Sequence, residues 1–191
     1  MLTHQDLFSL EQYHRLRPEF RAKVIAHKKL RKVELGPHAS LQFEDRLTML
    51  YQIQEMIRLE RMYEPELIQE ELDVYNPLIP DGANWKATLM IEYPDPEERK
   101  EALARLIGFE QAVWMQVGEF PRIAPIANED LDRTTEVKTS AVHFLRFELT
   151  PEMVAAVKAG APIHAGADHP DYSASVTLSP PTRDSLAADL A

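Results

Sequence analysis

The chain of 191 residues contains no cysteine. That removes disulfides, thiolate-bound metals, thiolate-held iron–sulfur clusters and cysteine nucleophiles from consideration. Glycine is scarce, at six residues, and no dinucleotide-binding fingerprint is present. A Gly-x-Ser-x-Gly nucleophile elbow is missing as well. The stretch "GAPIHAG" lacks the Gly-Lys-Ser/Thr ending with which a phosphate loop holds phosphate and magnesium. No apolar run approaches the roughly 18 residues a membrane span needs. The opening "MLTHQDLFSLEQYH" has no basic stretch leading into an apolar one, so no signal peptide is expected. These absences point to a cytoplasmic protein without a membrane span.

Positive charge is also in short supply. There are 21 basic against 31 acidic side chains, a net charge of −10, which argues against nucleic acid as a partner. The imbalance is uneven, because residues 1–36 carry eight Lys/Arg against four acids. The simplest reading is an N-terminal helix that docks on an acidic body. A basic arm for an acidic partner is the sharper one.

What is present reads as α+β: N-terminal helices packed on a mixed or antiparallel sheet. A chain of this length is expected to form a single domain, mainly helical over 1–80 and mixed over 81–191. Pro18–Leu30 suggests a short amphipathic helix with Pro18 in its first turn. "RKVELG" reads as a short strand ended by Gly36-Pro37. Residues 43–62 read as one long helix, and 66–75 as a second after Pro65. "WKATLMIEY" alternates as a half-buried strand does. "DPEERKEALARLIG" carries Asp95 as N-cap, Pro96 at its first position and Gly108 past its end. Strands are expected at "AVWMQVG", at 122–126 inside a long loop, and at "SAVHFLRFEL". "TPEMVAAVKAG" is a helix capped by Thr150. "APIHAG" and "SASVTLS" read as strands joined by the turn "ADHPDY", and "PTRDSLAADLA" as a closing helix opened by Thr182 or a nearby proline.

Two stretches offer candidate chemistry. On a continuous helix from residue 43, Glu44 and Glu55 share one line about 16 Å apart, too far to hold one metal ion together. Thr48 and Gln52 lie between them, opposite the apolar stripe of Phe43, Leu47, Leu50, Ile53 and Ile57. Arg46 and Glu60 border that stripe and need partners if buried, and Glu55 can pair with Arg58. Glu44, Arg46, Gln52, Glu55 and Arg58, together with Tyr172 further along the chain, are therefore candidate ligand or partner contacts. A di-metal carboxylate bundle is not indicated, because position 58 holds arginine where Glu-x-x-His would require histidine.

The second stretch is "HAGADHPDY". Asp168 and His169, with His143 or a helix carboxylate such as Glu55, suit one divalent metal (Fe, Zn or Mn) or acid–base work. The same residues also make an ordinary hairpin connection, with Asp168 bonding to backbone and the Tyr172 ring packing beside it.

Taken together, "RKVELGPHASLQFEDRLTMLYQIQEMIRLER", "ELDVYNPLIP", "SAVHFLRFEL" and "AGADHPDY" resemble an uncharacterised bacterial family, a domain of unknown function, over nearly the whole chain. The resemblance implies a setting of redox or peroxide-stress metabolism. Members tend to be encoded beside a rubrerythrin-like protein and an iron–sulfur oxidoreductase. It supplies no catalytic residues. Three functions are therefore expected in turn: an accessory partner of an iron-dependent redox system, a metal-dependent enzyme, or a small-molecule sensor with a pocket between helix and sheet.

Overall fold

Ser9 opens the first helix, α1 (Leu10–Leu30), through a reciprocal cap. Its hydroxyl accepts from the Gln12 backbone N–H (3.2 Å) while Gln12 Oε1 accepts from the Ser9 N–H (3.0 Å). The helix thus begins well before Pro18, which lies inside it. The expected start at Pro18 is corrected: the cap at Ser9 outweighs the one hydrogen bond that proline removes. His27, Lys28 and Lys29 fill the last turn, where positive charge complements the helix dipole. The structure, a computed structural model, describes residues 1–191.

β1 (Lys32–Glu34) and β2 (Ala39–Glu44) form a hairpin with Val33 opposite Leu41. Gly36 turns it at φ +72°, and a Cβ there would stand 2.7 Å from the Tyr172 hydroxyl. Asp45 then caps α2 (Arg46–Glu60): its carboxylate accepts from the Thr48 N–H (2.9 Å), and its own N–H donates to the Thr48 hydroxyl oxygen (2.9 Å). Phe43 and Glu44 are therefore strand residues, and the helix expected from residue 43 is three residues shorter at its start. Asp45 is fully extended (φ −150°, ψ −174°), which ends one element and begins the next. With Glu44 off the helix, its alignment with Glu55 disappears.

α3 (Pro65–Tyr75) follows, with a single 3₁₀ turn at Asn76–Leu78, then β3 (Asn84–Ile91), α4 (Pro96–Arg105), the short α5 (Phe109–Ala112) and β4 (Val113–Val117). Asp95 caps α4 as expected, accepting from the N–H groups of Glu97 and Glu98. β5 is only Ile126–Ala127, with Ile123 bridged to Met115, so the short strand expected at 122–126 lies slightly later. β6 (Val142–Glu148), α6 (Pro151–Lys158) capped by Thr150, β7 (Ile163–His169), β8 (Tyr172–Thr177) and α7 (Pro180–Ala187) complete the chain.

The strands form two wholly antiparallel sheets, β1-β2-β3-β6-β5 and β4-β7-β8. Their alternating residues, with side chains from α4, α5, α6 and α7, meet in a core of 27 buried apolar side chains, including Phe43, Trp85, Leu89, Phe147, Met115 and Ile163. The Trp85 indole N–H is satisfied by Leu186 O (3.0 Å) of α7. On the small sheet Trp114 lies across Gly166, where any side chain would collide with the indole. The Arg122 guanidinium stands 3.8 Å from that ring's centre.

The opposite face of the large sheet meets α1–α3. Ser40, Gln42 and Glu44 are buried there, and Gln42 Nε2 donates to Lys28 O and Arg31 O (3.3 Å each) at the end of α1. This helical layer has a separate core of five buried residues, Leu2, Met49, Ile53, Ile57 and Leu72. The result is an α+β protein of three layers, helices over the large sheet over the small one.

Candidate functional site

Glu55 answers for most of the helix candidates. Its Oε1 accepts from the Tyr13 hydroxyl and Arg17 Nε (2.8 Å each), and its Oε2 from Arg17 Nη2 (3.0 Å) and Arg58 Nη2 (3.1 Å). The Arg17 fork holds the Glu55 carboxyl at about 2, well under its ordinary 4.5, with Arg58 and Tyr13 adding to the effect. Burial and this carboxylate push the Tyr13 hydroxyl up. Every strong acceptor direction of Glu55 is used in fastening α1 to α2.

The other helix candidates have separate neighbours. Arg46 is exposed and pairs with Asp6 (2.5 Å), while Glu60 is exposed and has no ion pair to make. Gln52 Nε2 approaches the Tyr75 hydroxyl at 3.5 Å.

The hairpin candidates are equally engaged. Asp168 and His169 lie on β7, opposite Ser173 and Tyr172, so the turn is only Pro170–Asp171, shorter than the expected "ADHPDY". Asp168 pairs with Arg122. His169 Nε2 donates to Ile107 O (3.1 Å), and its Nδ1 accepts the Asp171 N–H (3.1 Å). The Tyr172 hydroxyl donates to Leu35 O (2.5 Å) and accepts the His38 N–H (3.0 Å), tying the small sheet to the β1–β2 turn.

His143 is fully buried on β6. Its Nδ1 accepts from Asn128 Nδ2 (2.9 Å), and its Nε2 faces Ser140 O (3.0 Å) and Thr139 Oγ1 (2.9 Å). Burial pushes its pKa down against the pull of Glu110, whose Oε2 is 3.9 Å from Nε2. The three residues considered as metal ligands thus each have protein partners of their own. No three His, Cys, Asp or Glu side chains lie close enough together to hold a metal ion.

What the structure does assemble is a cleft of about 640 Å³ between α3 with its following turn and the helix-facing side of the large sheet. Tyr75, Leu78 and Phe144 give it apolar walls, and Lys86, Arg133 and Arg146 line its polar side. Both arginines are neutralised within it. Arg133 forks onto Asp130 and lies 4.6 Å from the centre of the Phe144 ring. Arg146 takes both oxygens of Glu129 (2.8 and 2.7 Å) and also bonds Glu148. These pairings hold the Glu129 and Asp130 carboxyls below their ordinary values.

Lys86 is different. It stands directly across from Arg146 on β6 and from Glu44 on β2, yet it forms no ion pair. Burial pushes the Lys86 amine's pKa down, and the neighbouring Arg146 charge pushes it further. Glu44, expected on a helix face, occupies the same row of the sheet. One of its oxygens receives the Thr88 hydroxyl (2.8 Å) and the other is buried without a partner.

Sequence reasoning missed Lys86, Arg133 and Arg146. The available signal was slight: Lys86 is the charged residue at an outward position of "WKATLMI", beside Thr88 and Met90.

Two antiparallel sheets under a helical layer, with a partly apolar cleft at the seam, define a class of α+β protein. A family described as "Protein of unknown function (DUF3501)" matches residues 1–190, and the chain belongs to that family. Its fold is similar to the crystal structure of a novel protein of unknown function from Burkholderia pseudomallei. That protein is 50% identical, with a TM-score of 0.94 over 100% of this chain and 99% of that one. No curated protein matches the chain.

Proposed function

We propose that this protein binds a small organic molecule in the cleft between the helical layer and the large sheet. The ligand has an apolar body, lying against Phe144, Leu78 and Tyr75, and one oxygen-bearing head group at Lys86. The observation that carries this reading is Lys86, the one cation of the cleft without a carboxylate partner. The cleft volume of about 640 Å³ falls within the few hundred to a thousand Å³ typical of small-molecule sites. This is the sensor or binding-module role among the three expected from the sequence. The accessory role in an iron-dependent redox system, implied by the family resemblance, is compatible with it as a setting. It is tested separately by titration against a rubrerythrin-like protein or an iron–sulfur oxidoreductase. The metal-dependent reading draws no support from Asp168, His169 and His143, whose donor atoms are engaged elsewhere.

Thermal-shift and calorimetric titration with a panel of aromatic and aliphatic carboxylates and aldehydes tests the proposal. Saturable binding to the parent chain, weakened at least about tenfold (roughly 1.4 kcal/mol) by Lys86→Met, is the expected result. Silence across the panel, or binding indifferent to Lys86→Met, overturns it.

A further inference from the structure

The head group that Lys86 meets can be specified further. We propose that Lys86 is a nucleophile toward a carbonyl carbon, holding an aldehyde or ketone ligand in the cleft as an imine. The inference rests on the cleft being a small-molecule site.

Three structural features converge on the amine. It lines a cleft with apolar walls, so its charged form loses hydration. It is set directly opposite Arg146 in the sheet register, so a second positive charge stands on the neighbouring strand. No carboxylate forms an ion pair with the amine: Glu129 and Glu148 pair with Arg146, Asp130 with Arg133, and Glu44, across from Lys86 on β2, takes the Thr88 hydroxyl on one oxygen and makes no ion pair. A lysine deprived of a carboxylate and placed beside another cation holds its proton less firmly, and the neutral amine is the form that attacks carbonyls. The other seven lysines, at positions 23, 28, 29, 32, 100, 138 and 158, lie outside this cleft.

The reaction balances without an oxidant or reductant. The Nζ lone pair adds to the carbonyl carbon, and the C=O π pair becomes an alkoxide that is protonated to a carbinolamine. That proton comes from the nitrogen, and the second nitrogen hydrogen then leaves with the hydroxyl as water, leaving C=N between Lys86 and the ligand. Tyr75 lines the same cleft, and its phenol is the proton carrier assigned to the dehydration.

The experiment uses the full chain with benzaldehyde and cyanoborohydride near neutral pH, which reduces any imine to a stable secondary amine. Peptide mass spectrometry then gives the labelling rate at each lysine. Benzoate, which cannot form an imine, is titrated in parallel by calorimetry. Labelling at Lys86 several-fold faster than at any other lysine, slowed by excess benzoate, is the expected result. Lys86 labelled no faster than the others, while benzoate binds and its binding is lost in Lys86→Met, overturns imine formation and leaves the cleft as a non-covalent site. Absence of both selective labelling and benzoate binding overturns the imine and counts against the cleft reading with it. Lys86→Arg, which keeps the charge and the stem, controls for folding: it should abolish labelling at position 86 and leave the thermal midpoint close to that of the parent.

Discussion

The two sheets, with α4, α5, α6 and α7, share one core of 27 buried apolar residues, whereas the layer of α1, α2 and α3 has only five of its own. The sheets owe their cohesion to area removed from water, a force that pH leaves alone. The helical layer compensates for its small core with directed polar contacts: Tyr13, Arg17 and Arg58 on Glu55, Gln42 on the end of α1, and Asn76 on both backbone groups of Leu2 (2.7 and 2.9 Å). The two halves of the molecule should therefore fail under different conditions. The cleft lies where they meet.

The largest effect is expected in the sheet core. Trp85→Ala removes a fully buried ring and should destabilise the protein by about 3–5 kcal/mol in a denaturant titration. A loss below about 1 kcal/mol would mean that the sheets do not share one packed core.

Next comes Arg31, which is 1% exposed and belongs to both halves. It donates to Phe43 O and Glu44 O of β2, to Ser185 O of α7 and to Asp189 (2.6 Å). Burial raises the Asp189 carboxyl to about 6 even with Arg31 beside it. Arg31→Ala strands that carboxyl and should cost about 3 kcal/mol, with part of the loss recovered in the double variant Arg31→Met/Asp189→Leu. No recovery would show that the backbone contacts of Arg31, and not the ion pair, carry its effect.

Glu55→Gln is expected to cost less, about 2 kcal/mol, since its pairs are only partly buried. The loss should be local. Amide exchange should accelerate along α1 and leave the sheets unchanged. Acid provides the same test without a mutation. Because the folded Glu55 carboxyl lies at about 2, under its ordinary 4.5, its charge stabilises the folded state fully above pH 4.5, and that stabilisation is lost as pH falls toward 2. Exchange protection should fall in α1 before it falls in β3 and β6. Simultaneous loss in all three would erase the distinction between the halves. The smallest effect is assigned to Asp168→Asn, within about 0.5 kcal/mol by thermal unfolding, because its pair with Arg122 is half exposed.

Local signals in the sequence served well where structure is local. Asp95-Pro96 and Thr150-Pro151 marked helix starts because a cap needs only its own next few residues. The outward and inward alternation of "WKATLMI" was equally legible. The start of α2 was not, since the apolar spacing of Leu47, Leu50 and Ile53 extends backward through Phe43. Only the capping exchange between Asp45 and Thr48 separates strand from helix. The sites diverge for a similar reason. Asp168 and His169 are close in sequence and drew attention, but their true partners are Arg122 and the carbonyl of Ile107. Lys86 is made distinctive by what Glu129, Asp130 and Glu148 do with Arg133 and Arg146, and no local spacing encodes that.

The distribution of the two indoles has an optical consequence. Trp85 lies in the large sheet and Trp114 in the small one, while α1, α2 and α3 carry Tyr13, Tyr51 and Tyr75 and no tryptophan. Light absorbed only by indole therefore reads the sheets and is blind to the helices. Excitation shared with the phenols adds a signal from the helical layer, passed to Trp85 by energy transfer as long as that layer is docked. The ratio of the two emissions is a built-in gauge of whether the helices sit on the sheet.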